Sequence, residues 1–541
     1  MMSMSKPQKL PIGIQTFEQI RNGDYLYVDK TKYLLNLIDG GKVYFLSRPR
    51  RFGKSLTIST FDAIFSGKRE LFKGLAAEEY FDRSEYKPCP VIRLDMSQVT
   101  TEYGVEKTRS SILRVVREAA DDLGVDIEDD MLPGEVLRYM IKQACIKHGL
   151  VAVLIDEYDK PYLDFMHKPD EAGEIRDTLR SLYIQIKTSD EYVKFAFITG
   201  ISKFSKMGVF SGMNNLNDIS MDARYAAMLG YTEEELVSNF APHIDATAKG
   251  MGITSDELLE RMRFYYDGFS FDGETMLYNP FSTLKFFNNP MFLNYWFETA
   301  TPSYLARYMN DRQLTVEQFR GMGVSKDFAY APGAIETSSP ESFLYQSGYL
   351  TLRPGTVDDY SLDYPNQEVL TSMSKLLTAN IFGDMGTTRE SNTNLFTGLV
   401  HSDADMIVEE FNRLLASIPY DDYSRAAKAA SRRGGVKMDA GEWLYRSTLL
   451  AYLRGSGVKV DGEVHTHRGR ADIVVTHKGH VWVFELKIAH GDEDAAKLAD
   501  DALKQIIDMG YADKYDNAIM MGLVIDDDKR SIAEYRVASG V

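Results

Sequence analysis

The stretch that most constrains this chain is Ser47-Arg48-Pro49-Arg50-Arg51-Phe52-Gly53-Lys54-Ser55. It lies between a short apolar, β-prone run, Val43-Tyr44-Phe45-Leu46, and a helix-length segment that opens Ser55-Leu56-Thr57-Ile58-Ser59-Thr60-Phe61. Strand, loop, helix is the order a phosphate-gripping loop requires, because free N–H groups at a helix start point at an anion from the positive end of the helix. Gly53, Lys54 and Ser55 would offer those groups to a β-phosphate, and the Lys54 ammonium would reach the β- and γ-oxygens. The Ser55 hydroxyl would hold Mg2+. The candidate nucleotide-binding residues are Arg48, Arg50, Arg51, Phe52, Gly53, Lys54 and Ser55, although Arg48 stands where the usual pattern has its first glycine. An ordinary strand-to-helix turn is the alternative for this segment alone.

A second run argues against that alternative. Val151-Ala152-Val153-Leu154-Ile155-Asp156-Glu157 is continuously apolar up to two acids, which reads as a central parallel strand carrying carboxylates at its carboxyl end. Asp156 would bind Mg2+ through water, and Glu157 would take a proton from the water attacking a γ-phosphate. A third apolar strand, Phe195-Ala196-Phe197-Ile198-Thr199-Gly200, brings Thr199 to the same edge, where Thr199 or Ser202 could sense the γ-phosphate.

Composition bounds the rest. A chain of 541 residues has room for three or four domains at about 150 residues each. No apolar run approaches the about 20 residues that span a bilayer, and the amino terminus lacks an apolar signal core. With 2 cysteines and no zinc-like spacing among the 9 histidines, neither a disulfide framework nor a transition metal is implied, and the expected location is cytoplasmic with no membrane partner. A net charge of −17 argues against a broadly basic nucleic-acid surface while leaving room for a local cationic groove. A homo-oligomer stays open.

The pattern divides into residues 1–225, 226–430 and 431–541. Strands near 43–47, 91–96, 151–156 and 194–200 alternate with helical stretches, so the first part is a parallel sheet covered on both faces. Asp29 reads as a helix cap, and Asp159 with Pro161 as the point where the chain leaves the sheet. The middle part is mainly helical, with aromatic clusters at Phe264-Tyr265-Tyr266-Asp267-Gly268-Phe269 and Tyr278-Asn279-Pro280-Phe281 that fit a core better than a base-stacking site. Ser431-Arg432-Arg433-Gly434-Gly435-Val436 reads as a linker.

Beyond it, a helix from Glu442 to Leu453 precedes two strands, Arg470 to Thr476 and Val481 to Lys487, joined through His477-Lys478-Gly479-His480. If that connection is a four-residue loop, Thr476 pairs with Val481 and Asp472 falls opposite Glu485. Lys487, two residues on, shares their face while Leu486 points to the other. Two carboxylates and an ammonium on one half-buried face suit a hard divalent cation held by Asp472 and Glu485, with Lys487 orienting a water. A solvated cross-strand salt bridge is the alternative. Glu442 and Glu463 are further acids nearby in sequence.

Arg48-Pro49-Arg50-Arg51-Phe52-Gly53-Lys54-Ser55, Leu154-Ile155-Asp156-Glu157-Tyr158-Asp159, Phe210-Ser211-Gly212-Met213-Asn214-Asn215-Leu216, Tyr265-Tyr266-Asp267-Gly268-Phe269, and Gly469-Arg470-Ala471-Asp472 with Glu485-Leu486-Lys487 together resemble a bacterial family. In it an AAA-ATPase-like P-loop domain is fused to a PD-(D/E)XK nuclease-like domain. The resemblance implies an α/β chain: a P-loop NTPase parallel sheet with helices on both faces, a mainly helical middle and a C-terminal restriction-endonuclease-like α/β domain. It implies ATP and Mg2+ at the first site, with Glu157 catalytic. At the second it implies Mg2+ or Mn2+, with Asp472, Glu485 and Lys487 catalytic on DNA or RNA. Gln505 falls on a helix where related nucleases carry a glutamine, but Met509 stands at the tyrosine position of the Gln-x-x-x-Tyr form. The expected activity is a nuclease controlled by nucleotide state. The competing expectation is a nucleotide-switched binding or signalling module whose nuclease-like domain is not catalytic.

Overall fold

The computed structural model describes the chain apart from residues 1–6, 167, 204–207, 211, 301–316, 326–327, 329–338, 356–358, 383–388, 417–439, 457, 466–469 and 540–541. The expected linker at 431–436 lies outside the described residues. The chain forms two compact units, Met1–Ala300 with Gly321–Glu368, and Thr301–Arg320 with Val369–Val541, so the expected middle region contributes to both.

The first unit is built on a parallel sheet of β1 (Val43–Ser47), β2 (Val91–Asp95), β3 (Val151–Asp156), β4 (Val193–Gly200) and the short β5 (Asn217–Asp218), in the spatial order β2-β3-β4-β1-β5. Every residue of β1 and β3 is buried, which is why both read as unbroken apolar runs rather than alternating ones. β4 is inserted between the loop strand and the acid strand, pairing Leu46 with Thr199 on one side and Ile155 with Ile198 on the other. The carboxyl ends of β1, β4 and β3 therefore share one edge of the sheet. Helix Lys54–Phe65 lies against β2, β3 and β4, while helices Val105–Asp122, Pro133–His148 and Thr-ended Pro169–Thr188 pack on one another and reach β2 and β3.

The cap position of helix Thr31–Gly40 is Lys30 rather than Asp29, but Asp29, one residue earlier, supplies the side-chain acceptor. Its Oδ1 accepts from the Thr31 N–H at 2.8 Å and its Oδ2 ties down the Ala76 N–H at 2.7 Å. Capping boxes at Thr232 with Glu235 and Thr254 with Glu257 start helices Glu233–Met251 and Ser255–Tyr266. Tyr266 and Tyr278 are fully buried in the core those helices share. The mainly helical middle also holds a small antiparallel sheet of β6 (Met322–Ser325), β7 (Thr351–Pro354) and β8 (Asp359–Asp363), in the order β6-β8-β7.

The second unit carries a five-stranded sheet of β9 (Lys459–His465), β10 (Arg470–His477), β11 (His480–Ala489), β12 (Ile519–Asp526) and β13 (Ser531–Ser539), ordered β13-β12-β11-β10-β9. β11 and β12 are parallel, joined through helix Ala495–Asp508, and the other pairs are antiparallel. The register between β10 and β11 is the expected one, Thr476 with Val481, but the strands run on to pair His477 with His480. The connection is thus a two-residue turn, Lys478-Gly479, and both residues have positive φ, 47° and 85°. Such a mirror-image turn matches the right-handed twist of the strands better than a longer loop does.

Helix Ala495–Asp508 sits unusually close to the sheet at Gly522, which pairs with Glu485. A Cβ there would lie 2.6 Å from the Leu503 nitrogen and 2.8 Å from the Ala499 oxygen, both backbone atoms. Gly522→Ala should therefore push the helix off the sheet and destabilise the protein by about 1–3 kcal/mol. A lowered urea midpoint for this variant would confirm it, and an unchanged one would show the approach to be slack.

Candidate functional sites

The loop after β1 ends at Gly53, whose φ of 96° opens helix Lys54–Phe65 and accounts for glycine at that position. The Lys54 ammonium is buried and donates to the carbonyls of Arg48 and Pro49, each at 2.9 Å. Burial lowers its pKa, against the opposing pull of Glu157, Asp156 and Asp159. The carboxylates that support the buried lysine thus come from the end of β3, across the inserted β4. Ser55 follows on the first helical turn and is half-buried.

Thr199, at the end of β4, donates its hydroxyl proton to Asp156 Oδ1 at 2.7 Å, and the Glu157 N–H donates to the same oxygen at 3.0 Å. In this structure the Thr199 donor goes to Asp156 and orients that carboxylate. Ser202 is committed likewise, donating to Asp159 Oδ2 at 2.5 Å. Glu157 has a φ of 49°, costly for a residue with a Cβ, and burial raises its pKa while Lys54 opposes the rise. A carboxyl poised this way can hold a proton longer than an exposed glutamate and still act as a base.

Arg48 turns away from the expected phosphate contact. Its guanidinium donates to the carbonyls of Ser47 at 2.9 Å, Ser220 at 2.7 Å and Tyr225 at 3.3 Å, and its centre lies 4.0 Å from the Phe271 ring. At 1% exposure, with burial lowering its pKa to about 10, it faces the protein interior rather than a phosphate. Phe52 is also core: its ring meets Phe269 and Phe271 edge-on, so only its backbone belongs to the loop. Arg50 and Arg51 remain at the surface of the site, Arg51 with a φ of 67°. The Arg50 charge acts on both Lys54 and Glu157.

Asp159 is a residue the sequence reading assigned only to a change of chain direction. It is fully buried, accepts from the N–H groups of Ile201 at 3.0 Å and Ser202 at 2.7 Å, and so fastens the segment after β4 to the acid strand. Three acids in four positions, Asp156, Glu157 and Asp159, were the available signal.

In the second unit Asp472 and Glu485 are buried and lie on neighbouring strands. Asp472 accepts from Arg446 Nη1 at 3.2 Å and from the Leu486 N–H at 2.9 Å. Gln505 joins the other two expected residues: its Oε1 accepts from Lys487 Nζ at 2.7 Å, and its Nε2 donates to Glu485 Oε1. Leu486 points the other way, into the core with Trp482 and Phe484. Gln505 thus links Glu485 and Lys487, while Asp472 is tied to Arg446 and to the backbone N–H next to Glu485. The β9–β10 register brings Glu463 to the position opposite Asp472; the side chains of Glu442 and Glu463 lie outside the described residues. Among the described residues, no group of three or more His, Cys, Asp and Glu forms a ready cation cage. None of their helices is long and apolar enough to cross a membrane.

Residues 11–210 match the model of a predicted AAA-ATPase family, and residues 440–535 match a PD-(D/E)XK nuclease superfamily model. The chain is 37% identical, over 98% of its own length and 99% of the other's, to an uncharacterised protein encoded in the vnfD 5′ region of Azotobacter chroococcum mcd 1. It belongs to this bacterial ATPase–nuclease fusion family. Among solved structures it is similar to the Aeropyrum pernix ORC1 protein in complex with DNA, at 12% identity and a TM-score of 0.26, covering 82% of this chain and 87% of that one. The Aeropyrum pernix ORC2 protein gives 12% and 0.24, covering 69% and 96%. Likenesses this distant carry no argument about ligands.

Thr199→Val removes the donor that orients Asp156 and leaves a buried carboxylate oxygen short of a partner. The expected loss is about 1–3 kcal/mol of stability, read as a lower denaturant midpoint. Thr199→Ser keeps the donor and should recover most of it.

Proposed function

We propose that the protein binds and hydrolyses ATP in residues 1–225, and that the nucleotide state, acting through 226–430, controls a divalent-metal nuclease in 431–541 that cuts DNA or RNA. The observation that carries the first half is Lys54, buried at a helix start beside Asp156, Glu157 and Asp159. A buried ammonium tied to loop carbonyls exchanges those partners for phosphate oxygens at little cost. Ser55 and Asp156 offer a hydroxyl and a carboxylate, the hard oxygen donors that suit Mg2+ with retained waters. Mg2+ bound there supplies neutralisation of charge on the phosphate oxygens. Glu157 accepts the proton of the attacking water, Thr199 holds Asp156 in place, and Arg50 adds positive charge beside the transferred group.

In the second site, two buried carboxylates, Asp472 with both oxygens hydrogen-bonded and Glu485 with one bonded to Gln505, fit a cation that keeps several waters rather than a closed protein cage. Mg2+ or Mn2+ there supplies Lewis-acid stabilisation of a phosphodiester oxygen. Gln505 fixes the spacing between Lys487 and Glu485, and Lys487 orients the water. The ion pair between Arg446 and Asp472 favours a second reading, a nuclease-like domain that holds a partner without cutting it, since Asp472 is already balanced by a buried cation.

Lys54→Ala should abolish ATP binding and turnover. Glu485→Ala or Lys487→Ala should abolish cleavage and leave ATP binding intact. Nuclease assays on single- and double-stranded DNA and RNA, with Mg2+ or Mn2+ and with or without ATP, decide between the readings: no cleavage under any condition would leave the binding module. Because burial raises the Glu157 pKa, ATP turnover should fall as pH drops toward that value and the base becomes protonated. Glu157→Gln should remove turnover at every pH while ATP still binds, as measured by equilibrium dialysis.

A further inference from the structure

The phosphate loop is held from outside by a later part of the chain. Each residue from Arg48 to Phe52 meets the region between 269 and 349. The Arg48 guanidinium lies over Phe271 at 4.0 Å. Pro49 packs against the backbone of Gly348, where a Cβ would come within 2.5 Å of the proline ring. The Arg50 carbonyl accepts from the Trp296 indole N–H at 2.9 Å. The Arg51 guanidinium lies 4.9 Å from the centre of the Phe281 ring, and Phe52 is enclosed by Phe269 and Phe271.

These contacts are themselves anchored. Trp296 packs against Phe269 at 5.9 Å and Tyr349 at 5.3 Å. Its backbone N–H donates to Glu368 Oε1 at 2.7 Å. The same fully buried carboxylate accepts from the Ser282 hydroxyl, at 2.8 Å to Oε2, on the helix Pro280–Asn288 that also carries Phe281. One acid thus fixes both the indole and the helix of the ring under Arg51. Glu368 is also the last residue of the first unit.

A loop with arginine in place of its first glycine, and with Arg51 strained at positive φ, does not set its own conformation. We propose that Phe271, Phe281 and Trp296 are positioning residues for the phosphate loop, and that the segment carrying them registers the arrival of nucleotide phosphates at Lys54. The inference rests on the ATP reading of the loop. Lys54 spends two of its three donors on the carbonyls of Arg48 and Pro49, so a phosphate drawing on the ammonium pulls on the loop backbone through them. Those two residues, and Arg50 beside them, are the ones held by Phe271, Gly348 and Trp296. A shift of the loop backbone is therefore felt first at the indole.

The chain has 3 tryptophans, Trp296, Trp443 and Trp482, so W443F/W482F leaves Trp296 as the sole indole reporter. Full-length protein of this form is titrated with MgATP, and binding is measured separately with radiolabelled ATP by equilibrium dialysis. The expected result is a saturable change in Trp296 emission with the same midpoint as labelled ATP, absent from the same protein carrying Lys54→Ala. In otherwise wild-type protein, Trp296→Phe keeps the ring and removes the N–H, and should weaken ATP binding about two- to tenfold, raising KM more than it lowers kcat. If labelled ATP binds while Trp296 emission stays unmoved, the positioning role is overturned and the nucleotide reading stands. If no ATP binds to wild type, the nucleotide reading fails and takes this inference with it. Should Trp296→Phe fail to fold, the emission titration alone still decides.

Discussion

Burying the Lys54 ammonium is the constraint around which the first unit is arranged. A lone ammonium out of water costs several kcal/mol. Its hydrogen-bond acceptors come from the loop itself, and its balancing charge from Asp156, Glu157 and Asp159 on the strand two places away. Those acids are costly to bury in turn. Thr199 and the Glu157 N–H satisfy Asp156, and Ser202 with two backbone N–H groups satisfies one oxygen of Asp159. Inserting β4 between β1 and β3 is what lets a single strand end supply partners to both sides.

The second unit solves a similar problem with different means. Asp472 is balanced by Arg446 from helix Ala440–Ser456, while Gln505 from helix Ala495–Asp508 serves Glu485 and Lys487 with its two ends. A neutral amide can bridge an acid and a base only if the helix bearing it is close to the sheet, and Gly522 provides that approach. The packing of a helix against β12 and the placement of the polar group facing β11 are thus one feature.

Much of this was legible in the residues. β1 and β3 are buried on both faces and so show as unbroken apolar runs; the acids at the end of β3 mark where buried polar partners replace apolar packing. The hairpin register followed from alternation together with a turn glycine, even though the turn proved to be Lys478-Gly479 alone. Misread residues share a cause. Arg48 looked like phosphate charge because it adjoins Lys54 in sequence, yet its long side chain turns toward carbonyls contributed by Ser220 and Tyr225. The Thr199 bond to Asp156 was equally hidden, because the acid strand beside it is 43 residues away in sequence. Arg446 gave no local signal, since its partner lies on another element.

By itself the sequence determined the alternation of strand and helix, the position of the loop and the acids at strand ends, and the shared face of Glu485 and Lys487, because burial and pleat leave a periodic imprint on neighbouring residues. Only the tertiary structure decided which polar group each of these touches. That choice depends on strand order and helix approach, through β4 beside β3, Phe271 beneath Arg48 and Gln505 above Glu485, and contacts between residues far apart in the chain leave no periodic trace in it.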